Sequence, residues 1–239
     1  MKAFKIVLLA ICFTLIVGST LVAKDKGKKG EVKVVFLLDD SKLAVEQTES
    51  YGLSLQQEAL SSLAYSATFL GKNDFASIAE AYEMTTNDIA WSEECALQAL
   101  DLRKDVVAAQ AEAGATEAGN AGGDTAIVSE KMKAQLEKLK SGEVKLSTAQ
   151  KGYFLVSLTR LAAALGKETI LVTNAKAYVD NVKGMSALAK AKEAKNLPKA
   201  ADMVTKLPGA IASQVGALGT YINIAKANGI EIPKEVKLP

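Results

Sequence analysis

The chain has 239 residues, with 29 Lys and Arg against 27 Asp and Glu, and no histidine. The missing histidine excludes imidazole acid–base chemistry, Ser-His-Asp and Cys-His nucleophiles, and histidine-held metals. With 49% hydrophobic and 23% charged residues the composition is globular, and frequent alanine beside only 6 Phe, 6 Tyr and 1 Trp favours helix over sheet.

Met1–Ala23 has the layout of a secretory signal peptide. Lys2 and Lys5 precede the apolar run Ile6–Val17, which only Thr14 interrupts, and Gly18, Ser19 and Thr20 follow. Cleavage is expected after Ala23, with Ser19 as the competing site. That sends the mature chain to the periplasm or the extracellular space. The rival topology is a membrane anchor through an uncleaved N-terminal segment. Lys24, Lys26, Lys28 and Lys29 outnumber the lysines before the run, so charge gives such an anchor no clear orientation. Cys12 does not read as a lipidation site, because Ile11 is bulky and the apolar run continues past it. Cleavage after Ala23 removes Lys2 and Lys5 and leaves 27 basic and 27 acidic residues. That balance does not suggest a nucleic-acid partner. Cys95 would then be the one remaining cysteine, read as a small buried apolar side chain.

Residues 24–40 form a charged leader, Lys24–Gly30, followed by a candidate short strand, Glu31–Leu38, with the first turns of a helix as its rival. Residues 41–239 read as one helical domain. Asp39, Asp40 and Ser41 supply N-cap chemistry for a segment starting near Lys42. Leu60, Leu63, Ala67 and Leu70 then mark the apolar stripe of a helix over Leu53–Leu70, which Gly71 ends. Asn73 or Asp74 caps a second helix from Phe75 to about Glu112. Its stripe is Ile78, Tyr82, Thr85, Ile89, Ala96, Leu100 and Val107, and Thr85–Asn87 mark an expected kink. The carboxylates Glu80, Glu83, Glu93, Glu94, Asp101 and Asp105 read as a solvated face, since no histidine accompanies them for a di-metal site and no EF-hand spacing occurs.

Ala113–Asp124 is a Gly/Ala-rich stretch expected to be a flexible linker. It lacks the preceding strand and the GK[ST] ending of a phosphate loop. A third helix follows over Thr125–Lys140, with Val128, Met132, Leu136 and Leu139 on one face. Ser147 caps a fourth, carrying Phe154, Leu158, Leu161 and Leu165, and Gly166 is expected to end it. Gly166-Lys167 is not a phosphate loop, because Glu168 replaces the Ser/Thr and Leu161 stands at the first glycine position. A fifth helix spans Glu168–Lys183, and short pieces lie around Ser186–Lys195 and Pro198–Lys206. A long last helix starts at Pro208 and ends at Asn228-Gly229. Ile230–Pro239 is an extended tail. Leu63, Ala67, Leu70, Gly71 and Lys72 recur as Leu158, Ala162, Leu165, Gly166 and Lys167 at an offset of 95, a faint sign of two similar helical hairpins.

Leu207–Ala225 is free of charge over nineteen residues. Val204, Leu207, Ile211, Val215, Leu218, Ile222 and Ala225 make an apolar seam, and Gly209, Ser213, Gln214, Gly216, Gly219, Thr220 and Asn223 a small or neutral second face. Two uncharged faces predict a helix surrounded by protein, and Pro208, Gln214 and Asn223 argue against a stable transmembrane span. The expected fold is all-α, an antiparallel bundle of about five to seven helices built around this helix. The expected function is that of an exported bacterial, non-enzymatic binding or scaffold module acting through helix-face contacts with an unknown protein partner. The alternative is a periplasmic carrier of an apolar small molecule or lipid held between helices. Ile211, Val215, Gly216, Leu218, Gly219 and Ile222 form the candidate face for either ligand. No catalytic residue, metal or cofactor is expected.

Overall fold

The computed structural model describes residues 37–43, 48–106 and 121–237, with side chains from 50 to 106 and from 130 to 237 in the two longer stretches. The expected signal segment, Glu31–Phe36 of the candidate strand, and residues 113–120 of the expected linker lie outside the described residues. The described chain is helical: α1 (Thr48–Tyr65), α2 (Phe75–Ala99), α3 (Ala121–Ser141), α4 (Thr148–Gly184), α5 (Ala187–Glu193) and α6 (Leu197–Ala227). Short 3-10 turns stand at Asp40–Lys42 and Ser66–Phe69. No strand occurs among the described residues. The backbone N–H groups of Leu37 and Leu38, at the end of the candidate strand, donate to the Glu94 carboxylate.

The helix starts follow local chemistry. Asp39 accepts from the Ser41 N–H and caps a 3-10 turn rather than a long helix. Asp74 accepts from the Ser77 N–H to open α2, and Ser147 and Gln150 form a capping box at α4. Gly71 and Gly229 take positive φ, +73° and +64°, where the helical segments before them end. α2 stops earlier than expected. Asp101 adopts φ 56°, its side chain accepts from Gln150, and the Leu102 N–H bonds back to the Leu97 carbonyl. No break occurs at Thr85–Asn87. The Thr85 and Thr86 hydroxyls return to the carbonyls four residues back, and the helix runs on.

Two expected breaks are absent. The fourth and fifth expected helices are one 37-residue helix, α4, which passes through Gly166. A glycine inside a helix costs about 1 kcal/mol, well below what packing along α4 supplies. The offset-95 echo therefore has no structural counterpart, since Gly71 ends a helix and Gly166 does not. Likewise α6 continues through Pro208, which is exposed. The hydrogen bond that proline removes is lost on the watered side of the helix. Ala121–Asp124, placed in the linker by the sequence, opens α3.

α4, not the Leu207–Ala225 segment, is the centre of the bundle. It packs against α1, α2 and α6. Its buried residues cover nearly the whole circumference from Tyr153 to Leu165, with Phe154, Val156, Ser157, Leu158, Ala163 and Ala164 all fully buried. α2 runs antiparallel to it, as Asp88 meets Lys167 and Ser92 meets Ser157. α6 is also antiparallel, with Gln214 on Glu168 and the Tyr221 ring on Phe154. α3 lies against α6 and sends Met132, Leu136 and Leu139 into the core. The tail after Gly229 returns Ile230 and Val236 to the same core, and none of its described residues lies in a strand.

α1 turns a different face inward from the one its leucines suggest. Leu60 and Leu70 are exposed, whereas Leu55, Ala59, Ser66 and Phe69 are buried. Ser62 on this side meets the buried Asp88 carboxylate, and Ser66 bonds the Ala163 carbonyl of α4.

Candidate functional site

The most concentrated polar chemistry among the described residues lies where α1, α2 and α4 meet. Asp88 on α2 is 1% exposed and Lys167 on α4 is 0% exposed. The Lys167 ammonium donates to Asp88 Oδ2 at 2.7 Å, to the Ser62 carbonyl at 2.7 Å and to Ser62 Oγ at 3.0 Å. Arg160 adds a bond from Nη1 to Asp88 Oδ1 at 2.8 Å and lies over the Trp91 ring at 5.6 Å. Ser62 Oγ donates to the same carboxylate at 2.8 Å. Glu58 approaches Arg160 at 3.5 Å from the solvent side.

A serine beside a lysine raises nucleophilic catalysis, which needs a neutral amine as base. The contacts point the other way. Three acceptors surround Lys167 Nζ, matching the three N–H bonds of an ammonium, and one acceptor is a carboxylate. Burial lowers the Lys167 pKa and the Asp88 charge opposes that shift. The cluster is a buried ionic lock joining three helices.

A second polar group fastens the chain before α1 to α2. Glu94, counted with the solvated face from sequence, is 6% exposed. Its carboxylate receives Arg103 Nε at 2.7 Å and the Leu37 and Leu38 backbone N–H groups. Arg103 also donates to the Leu38 carbonyl and to Asp40. Cys95, beside Glu94, is fully buried, as its sequence context suggests, and burial together with the Glu94 charge pushes its thiol pKa up.

A third buried polar pair lies between α4 and α6. Glu168 is 2% exposed and Gln214 3%. Gln214 Nε2 donates to Glu168 Oε1 at 3.0 Å, while Glu168 Oε2 and Gln214 Oε1 have no partner.

The candidate face read from sequence is not one surface. Leu218 is fully buried in the core. Ile211, Val215 and Ile222 are half-buried and pack against that core. Gly219 is half-buried, with open space where a Cβ would stand, and Gly216 is exposed. Within residues 207–225 the exposed positions of α6 are Pro208, Gly209, Ala212, Gly216 and Asn223, the last four spaced by 3, 4 and 7. No group of three or more Cys, Asp and Glu among the described residues is arranged to hold a metal ion. No helix among them is long and apolar enough to cross a membrane.

No protein-family model matches the chain, and neither a curated protein nor a solved structure shows significant similarity to it.

Proposed function

We propose that the chain is an exported, non-enzymatic binding or scaffold module that works through a helix-face contact, and that the contact face is the outward stripe of α6. One observation carries this reading. Residues 207–225 hold no charged side chain, yet Gly209, Ala212, Gly216 and Asn223 stand on the water side of the helix. The chain as a whole is 23% charged, and an outward helix face ordinarily carries charge. Small side chains let a partner helix approach closely, and the absence of charge keeps desolvation on docking cheap. The carrier reading draws less support. Leu218, Ile211, Val215 and Ile222, which would line an apolar ligand site, are packed on the core.

The test is a photo-crosslinking residue placed at Ala212 in the native host, with Ala76 on α2 as an exposed control. A single protein adduct of defined mass is expected from position 212 and none from position 76. Ala212→Glu should remove the binding that produces it without changing the melting temperature. Identical adduct patterns from both positions, or adducts only with lipid, would overturn the reading.

A further inference from the structure

Glu168 is a buried carboxyl that pairs with no cation among the described residues. The elements around it bring their charges elsewhere. From α1 and α2, Glu58 and Asp88 meet Arg160 and Lys167. Residues 207–225 of α6 carry no charge at all. Glu193 of α5 is bonded to Tyr178 and Asn196. Among the described residues Gln214 is thus the one hydrogen-bond partner of the Glu168 carboxyl, and it engages a single oxygen.

The remaining two atoms complete the picture. Glu168 Oε2 and Gln214 Oε1 are both buried acceptors without a donor, and they belong to two side chains already joined by one bond. Two lone acceptors cannot satisfy each other. One proton on Glu168 Oε2 resolves both deficits, because a carboxylic acid donates through one oxygen and accepts through the other, as an amide does. The acid–amide pair would then close a ring of two hydrogen bonds in an interface that excludes water. Loss of that proton to solvent leaves a buried carboxylate oxygen and a buried Gln214 carbonyl oxygen, neither with a donor.

We propose that Glu168 and Gln214 form a proton-dependent latch between α4 and α6, closed when the Glu168 carboxyl is protonated and strained when it is ionised. Burial supports this, pushing the Glu168 pKa up to about 7, with only the Gln214 hydrogen bond opposing it. The sign follows from proton counting. Between the ordinary glutamate range and about pH 7 the folded chain keeps a proton that the unfolded chain has lost. Stability therefore falls as pH rises through that window and levels off above it. Between pH 5 and pH 8.5 full coupling would lower the folding constant by up to about a hundredfold.

The experiment is denaturant unfolding of the full chain from pH 5 to pH 8.5, for wild type and for Glu168→Gln. The variant keeps both hydrogen bonds, because its amide donates to Gln214 Oε1 and accepts from Nε2. The Glu93 carboxyl on α2 is also raised by burial and gives its own slope, so the reading is the difference between the two proteins. The wild type is expected to lose one to two powers of ten in folding constant that the variant does not lose. Equal slopes would overturn the latch. If Glu168→Gln fails to fold, the carbon-13 carboxyl shift of Glu168 in the wild type decides. A midpoint near 7 supports the latch, and a midpoint in the ordinary glutamate range overturns it.

Discussion

Asp88 occupies a position where a helical seam calls for an apolar side chain. It follows Ile78, Ala81 and Thr85 at intervals of 3, 4 and 3 and precedes Ser92, all of them buried. That placement was a legible signal, since a charge inside an apolar stripe is buried and needs a partner. The partner was not legible. Lys167 and Arg160 lie 79 and 72 residues away, and only the antiparallel packing of α2 on α4 brings them to the carboxylate. The same carboxylate explains Ser62 on the inward side of α1, while Ser66, just after that helix, bonds the Ala163 carbonyl. Asp88→Leu would strand a buried ammonium and should cost about 3–5 kcal/mol. Adding Lys167→Met removes the stranded charge, so the double variant should be more stable than Asp88→Leu alone. Urea unfolding of the wild type, both single variants and the double variant checks this. Simple additivity of the two single losses would show that the residues do not interact.

At the scale of the helix, N-caps and glycine stops were readable, because each is a local bargain between one side chain and a few backbone groups. Asp39, Asp74 and Ser147 cap as their sequence suggests, and Gly71 and Gly229 terminate. Gly166 and Pro208 were misread as breaks for the converse reason. Their local cost is set against tertiary packing that no local window contains. Gly166 makes this measurable. A Cβ there would sit 3.5 Å from Ser66 Oγ, an ordinary contact, in a continuous helix. Gly166→Ala should stabilise the chain by up to about 1 kcal/mol through helix propensity. A drop in melting temperature would mean that α4 bends at this residue or that α1 lies closer than described. The uncharged segment of α6 was misread in another way. Lack of charge was taken to require burial on both faces, but glycine, alanine and asparagine lie on its water side. What was legible was the buried half, where Leu207, Leu218 and Ala225 meet the core.

For the whole molecule, the helical class and the antiparallel arrangement could be read from composition and apolar period, and the identity of the central element could not. α4 carries Arg160, Lys167 and Glu168, charges that mark an exterior helix in sequence. Each of them finds a buried partner on a neighbouring helix. α6, without charge, lies at the side of α4 and offers its small residues outward. The central claim is therefore that α4 is the hub and that α6 has a water-facing stripe. Thiol labelling of the folded, purified 24–239 chain, which lacks Cys12, tests it most directly, because Cys95 is fully buried and its thiol is held protonated, so the native background should be silent. Single cysteines replace Ala212 on the outward stripe of α6 and Ser157 on α4. Ala212→Cys is expected to react completely with a maleimide before unfolding, and Ser157→Cys only after denaturant is added. Protection of Ala212→Cys, or rapid native labelling of Ser157→Cys, would contradict the account.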